Sequence, residues 1–214
     1  MAALTPLGNL PYPQPTDAAN VPLHIQSLAE SIDGRTVLRF LDAATRDARV
    51  TAPVAGMLVW LNTPGRFFHY SGTQWQPVVP GAVHKANTTT GTLAAVTTYT
   101  ETLTGSTGDP TAVTFTVPLS GSVLVSVGAR ISSSAAAAAS FMSANIRTGT
   151  TVTLAAADAR AAIVTGTNQC SASTQFQVNG LTSGAVCTAT AAYKSATSNT
   201  STFTNRFVTV TPLM

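Results

Sequence analysis

Apolar and polar residues alternate with a period of two in much of the second half of the chain. Val113, Phe115 and Val117 frame Thr114 and Thr116, and Val123, Val125 and Val127 repeat the pattern. Successive side chains of a strand point to opposite faces, so these runs predict strands with one buried face. Strands are expected at 93–102, 112–117, 122–131, 139–147, 150–154, 161–165, 173–178, 185–193 and 206–211. Turn residues separate them at Gly105-Ser106-Thr107-Gly108-Asp109-Pro110, Ser120-Gly121, Gly149 and Asn179-Gly180. Short strands punctuated in this way predict a β-sandwich over residues 89–214. The alanines at 135–139 are too few to nucleate a helix and are assigned to strand or loop.

The first half reads differently. Pro6, Pro11, Pro13 and Pro15 favour an extended arm over residues 1–20, with Leu4, Leu7, Leu10 and Tyr12 as apolar anchors on a neighbouring surface. Over residues 21–32 Ile25, Leu28 and Ile32 fall at helical spacing, with Asn20 as candidate N-cap, Pro22 in the first turn and Gly34 past the end. So short a helix cannot stand free, and its stripe is expected to pack on another subunit. Residues 56–60, 66–70 and 74–78 then read as a three-stranded meander turning at Asn62-Thr63-Pro64-Gly65 and Ser71-Gly72. Its core is assigned to Trp60, Phe67, Phe68, Tyr70 and Trp75, because a sheet this small needs large rings to fill it. An aromatic sugar-binding platform is the competing reading, weakened because alternation sends only some rings to one face. Residues 21–80 are thus a helix and meander, and Pro80-Gly81 opens a linker over 81–88.

Composition sharpens the contrast between the halves. Thr, Ala and Ser number 36, 34 and 18 of 214 residues, and only 9% of positions are charged. A surface this poor in charge suits repeated contact between copies of the chain. The net charge of +3 comes from bases scattered singly at Arg66, Lys85, Arg130, Arg147, Arg160, Lys194 and Arg206, without the contiguous stripe that nucleic acid requires. Arg35, Arg39, Arg46 and Arg49 are interleaved with Asp33, Asp42 and Asp47, which points to local pairing. No stretch is long and apolar enough for a membrane span, and the first residues lack a signal-peptide pattern, so synthesis in a cytoplasm is expected. Cys170 and Cys187 could be bridged, buried as two thiols, or opposed on adjacent strands.

The search for chemistry is mostly negative. Beyond residue 50 the acids are Glu101, Asp109 and Asp158, far apart in sequence, and His24, His69 and His84 show no triad or ligand spacing. No Gly-rich phosphate loop or calcium-ligand cluster occurs, so no enzyme activity, cofactor or metal is expected. Thr- and Ser-rich loops at 104–111 and 195–202 could offer hydrogen bonds to a glycan.

Two segments carry a family resemblance. Pro53, Gly56, Trp60 and the run Arg66-Phe67-Phe68-His69-Tyr70-Ser71-Gly72-Thr73-Gln74-Trp75-Gln76-Pro77-Val78 resemble a recurring hairpin of tailed-bacteriophage virion proteins that ends in Tyr-x-Gly-x-x-Trp. Tyr12-Pro13-Gln14-Pro15 followed by residues 21–33 is similar to the start of many actinobacteriophage tail and fibre proteins. The end of the chain, with Phe176, Val178, Asn179-Gly180-Leu181-Thr182, Tyr193 and residues 204–213, is similar to the closing strands of jelly-roll domains in virion fibres. The resemblance implies a jelly-roll-like sandwich and a structural subunit of the virion, a homotrimer docked on other virion proteins through its N-terminal part. A short tail fibre or baseplate-type protein contacting cell-wall glycan or another surface receptor is one implied role. A capsid-attached fibre or decoration without a receptor is the other.

Overall fold

The computed structural model describes residues 3–4, 11–12, 14, 20–32 and 36–213. The chain divides into two compact units, residues 1–79 and 80–214.

In the first unit, β1 (Ala3–Leu4) pairs antiparallel with β2 (Pro11–Tyr12), so these parts of the expected arm double back on each other. Leu7 and Leu10 lie outside the described residues. Helix α1 (Val21–Ile32) starts where its cap predicts: the Leu23 N–H donates to Asn20 Oδ1 at 3.2 Å, and Pro22 sits in the first turn, where no helical N–H partner is needed. Next come β3 (Leu38–Phe40), α2 (Ala43–Arg49), β4 (Leu58–Leu61), β5 (Arg66–Tyr70) and β6 (Trp75–Pro77). The four strands form one sheet in chain order, with β3 parallel to β4 and the remaining pairs antiparallel. The expected meander therefore gains a fourth strand and a second helix. Asp42 caps α2, accepting from the Thr45 N–H and hydroxyl, both at 2.8 Å.

The second unit comprises β7 (Val83–Asn87), β8 (Gly91–Ala94), β9 (Ala112–Thr116), β10 (Val123–Ser133), β11 (Ala139–Thr148), β12 (Thr151–Leu154), β13 (Ala162–Thr165), β14 (Cys170–Val178), β15 (Val186–Ser195) and β16 (Thr200–Pro212). One sheet runs β14-β10-β16-β7, with β8 also on β16; the other runs β12-β11-β15-β9, with β13 also on β11. Every pair is antiparallel. Early strands nest against late ones, β7 and β8 with β16, β9 with β15, and β10 with β14. This nested double Greek key is the topology of a jelly roll. Residues 81–88 are not a linker: β7 lies there, its Val83 and Asn87 opposite Val210 and Arg206. The expected strand 93–102 also breaks. Ala95 takes a positive φ of 52°, the chain leaves β16, and Val96 and Thr100 bond to Ser195 and Tyr193 of the other sheet. The turn at Ser134–Ala138 carries the chain between the two sheets.

The core fills as the alternation predicts. Val123, Val125, Val127 and Ile131 of β10 meet Phe203, Val208 and Val210 of β16, and Met142, Ala144, Ile146, Ala189 and Ala191 line the opposing sheet. Burying each Val, Ile or Phe contributes about 1.5–3 kcal/mol, and the small alanines let the sheets interdigitate. Cys170 is exposed and Cys187 buried, both as free thiols.

The longest strand changes phase. Gly128 opposes Phe207 and Arg130 opposes Thr204, so Asn205 and Arg206 together face Ala129 alone. This is a β-bulge, with Asn205 at φ 51°. Ser201 and Phe203 point inward before it, and Arg206, Val208 and Val210 point inward after it. The Phe207 ring takes the space above Gly128, where an added Cβ would lie 2.7 Å from Phe207 Cε1 and 2.8 Å from the Ala172 carbonyl oxygen. Because backbone and a packed ring both resist displacement, Gly128→Ala is expected to cost about 1–3 kcal/mol, measured as a lowered urea midpoint at unchanged slope.

Candidate functional site

The apolar stripe of α1 is uncovered. No residue of the helix is buried, and Ile25, Leu28 and Ile32 are 62%, 38% and 37% exposed. Val21 shares their exposure, and the spacing of Val21, Ile25, Leu28 and Ile32 puts all four on one side of the helix. Tyr12 is exposed as well. Among the expected docking residues, Leu7, Leu10 and the Leu4 side chain fall outside the described part of the structure.

The five rings of the meander are divided by the pleat. Register places Val59 opposite Phe68, and Phe68 opposite Pro77, so Val59, Leu61, Phe68, Tyr70 and Trp75 share one face. Val59 and Leu61, not the rings, are the fully buried members. Arg46 of α2 lies buried over this face, its guanidinium 4.7 Å from the Trp75 ring centre and 5.9 Å from that of Phe68, while its Nε bonds Asp47 at 2.8 Å. Trp60 and Phe67 occupy the other face in an edge-to-face pair at 4.8 Å. Phe67 is 44% exposed, so it belongs to the surface and not to the hairpin core. His69 shares that face, and neither of its buried ring nitrogens has a hydrogen-bond partner among the described residues.

Within the sandwich, each acid is held by a base. Arg206 has 0% exposure, and its Nη1 bonds both Asp109 oxygens, at 2.7 and 2.9 Å. Its Nη2 donates to the Thr89 carbonyl, the Thr89 hydroxyl and the Ser106 hydroxyl at 3.0, 3.1 and 2.6 Å. Asp109 also accepts from the Leu103 N–H at 3.2 Å and from Thr111 Oγ1 at 3.3 Å. On the outer side of the second sheet, Glu101 bonds Arg147 and Asn145, each at 2.5 Å. Asp158 pairs with Lys194 and accepts from the Tyr99 hydroxyl at 3.0 Å, and the Lys194 ammonium lies 4.1 Å from the Phe141 ring centre.

These partners change the expectation for the loops. In 104–111, Ser106, Asp109 and Thr111 are tied to the Arg206 network. In 195–202, Ser195 accepts from the Val96 N–H at 2.8 Å, Asn199 donates to Ser133 Oγ at 2.8 Å, and Ser201 bonds Ser140 at 2.7 Å. Much of their hydrogen-bonding capacity is thus turned inward. His84 Nδ1 bonds Thr209 Oγ1 at 2.8 Å. Among the described residues, no group of three His, Cys, Asp or Glu side chains comes together as a metal site. No described helix is long and apolar enough to cross a membrane. No known protein family and no curated protein matches the chain.

Removing one member of the buried pair leaves the other charged in a dry site. Asp109→Asn is expected to lower stability by about 3–5 kcal/mol in urea unfolding, and Asp109→Leu combined with Arg206→Met to recover a large part of that loss.

The Asp158 pair predicts an acid limb. Hydrogen bonding to Lys194 holds the Asp158 carboxyl below its ordinary value; burial opposes this and the Tyr99 hydroxyl adds to the lowering. Tyr99 itself is pushed up by burial and by its bond to Asp158, so it stays a donor. A folded-state value below the unfolded one gives stability that is complete above the unfolded carboxylate value and lost as pH falls through the folded one. Parent and Asp158→Asn are therefore expected to differ in melting temperature at neutral pH, and to converge once pH falls well below about 4.

Proposed function

We propose that the protein is a structural component of a tailed-phage virion, a short tail fibre or baseplate-type subunit that attaches through its N-terminal unit and displays the β-sandwich. The observation that carries this reading is the uncovered stripe of α1, four apolar side chains in line on a helix that its own chain leaves exposed. A twelve-residue helix gains little from its own hydrogen bonds, so such a stripe needs a partner surface. Other virion proteins supply that surface in this reading. The resemblance of residues 10–80 to tail and fibre proteins supports it, as does the jelly-roll order of the second unit, an architecture used by viral structural domains.

Assembly as a homotrimer fits the same reading. A closed threefold arrangement covers strand edges and tolerates a surface with few charges. The role is structural, with no catalytic step. Contact with the host surface is the further task of the displayed sandwich.

Deleting residues 1–33 tests the attachment. The expected result is a chain whose circular dichroism retains the β signal but which is missing from assembled particles; normal incorporation would overturn the docking role. Sedimentation of the full chain is expected to report about three copies, and a monomer at micromolar concentration would remove the trimer.

A further inference from the structure

We propose that the bulge in β16 forms a binding site for an acidic saccharide on the outer face of the first sheet. The proposal deepens the host-contact part of the virion reading and rests on that reading only for where the saccharide comes from.

The site is a shallow depression of about 280 Å³. Ala129 and Ala172, whose side chains pack on the core side, line its floor, and Arg130, Ser171, Ser173, Asn205 and Phe207 surround it. The bulge creates it. Placing two residues of β16 against Ala129 sends Arg206 into the core and leaves Asn205 exposed in a left-handed backbone conformation. Bulges commonly re-aim side chains beside binding sites in this way.

Three properties define what would fit. The first is free hydrogen-bonding capacity. Several polar groups on this face are paired, Gln175 with Ser126 at 2.9 Å, His84 with Thr209 at 2.8 Å and Thr90 with Thr204 at 3.0 Å, while the Ser132 and Thr202 hydroxyls stay open among the described residues. Within the depression, the side chains of Arg130, Ser171, Ser173 and Asn205 have no hydrogen-bond or ionic partner among the described residues, although all four are exposed. Guanidinium, carboxamide and two hydroxyls thus converge on one hollow with their donors and acceptors uncommitted.

The second property is an aromatic surface. The Phe207 ring leans over Gly128 in place of a side chain there, and the His84 ring lies beside it with centres 6.0 Å apart and planes inclined by 32°. A sugar ring offers a patch of C–H groups on one face and hydroxyls around its rim. A ring flanked by a carboxamide and hydroxyls matches both. The third is charge. Arg130 is the charged residue of the depression and no carboxylate lines it, which favours a sugar carrying its own carboxylate that the planar guanidinium can grip through two hydrogen bonds.

Calorimetric titration of the full chain with tetragalacturonate, with maltotetraose as a neutral chain of equal length and oligoglycerol phosphate as an anion without sugar rings, tests the site. Tetragalacturonate is expected to bind, and maltotetraose about tenfold more weakly. Arg130→Gln and Asn205→Gly are each expected to weaken tetragalacturonate binding about tenfold without changing the melting temperature, glycine keeping the backbone conformation at 205. Absence of saccharide binding at millimolar concentration, or binding unchanged in both variants, would overturn the site. Equal binding of oligoglycerol phosphate would do so too, by reducing it to a bare anion contact. Failure here leaves virion incorporation intact as a separate measurement. Saccharide binding by a chain that never enters particles would instead remove the virion reading and keep the site.

Discussion

The burial of Arg206 is the constraint around which the sandwich is organised. A guanidinium removed from water is tolerated only with a carboxylate and further acceptors in place, and here Asp109, Thr89 and Ser106 provide them. Those partners come from the turn after β7 and from the loop before β9, so one side chain of β16 ties two connections together. The bulge at Asn205 is the other half of the same arrangement. Without the extra residue, Phe203 and Val208 could not both face the core, because they are an odd number of positions apart on one strand.

Much of the sandwich could be read from its period of two, since Val113 to Val117 and Val123 to Val127 alternate without interruption. The failures lie where a single residue breaks the period. Ala95 has no sequence mark of a left-handed turn, yet it transfers the chain from one sheet to the other. At 203–208 the apolar set moves from odd to even positions, a shift visible in Phe203 and Val208 that would have signalled the bulge. Pro80-Gly81 looks like the start of a linker because it does precede a break, but the strand resumes at Val83. The Arg206–Asp109 pair spans 97 positions and no local pattern could join its members. In the first unit, Asp42 followed by Ala-Ala-Thr was a usable cap signal for α2, and alternation correctly warned that five rings could not share one face.

The low charge acquires a definite distribution. Residues 80–214 contain three acids, Glu101, Asp109 and Asp158, and each is engaged by a base. The cations outside those ion pairs are Lys85, Arg130 and Arg160, and Arg160 donates to the Ala155 carbonyl. Alanine and threonine also divide by face. Ala144, Ala189 and Ala191 lie in the core, while Thr200, Thr202, Thr204, Thr209 and Thr211 sit half-buried on the outside of β16. A face of short hydroxyl side chains with little charge resists neither water nor another protein surface.

The position of β16 has a consequence for biosynthesis. It is the last strand of the sandwich to leave the ribosome, yet it lies between β10 on one side and β7 and β8 on the other. Until it emerges, the first sheet is split and the apolar faces of β10 and β14 have nothing beside them to complete the layer. The sandwich therefore stays unfinished until β16 is free, and its long-range pairings with β7, β8 and β10 close last. Any nascent-chain chaperone would meet this protein with its centre, rather than its edge, still missing.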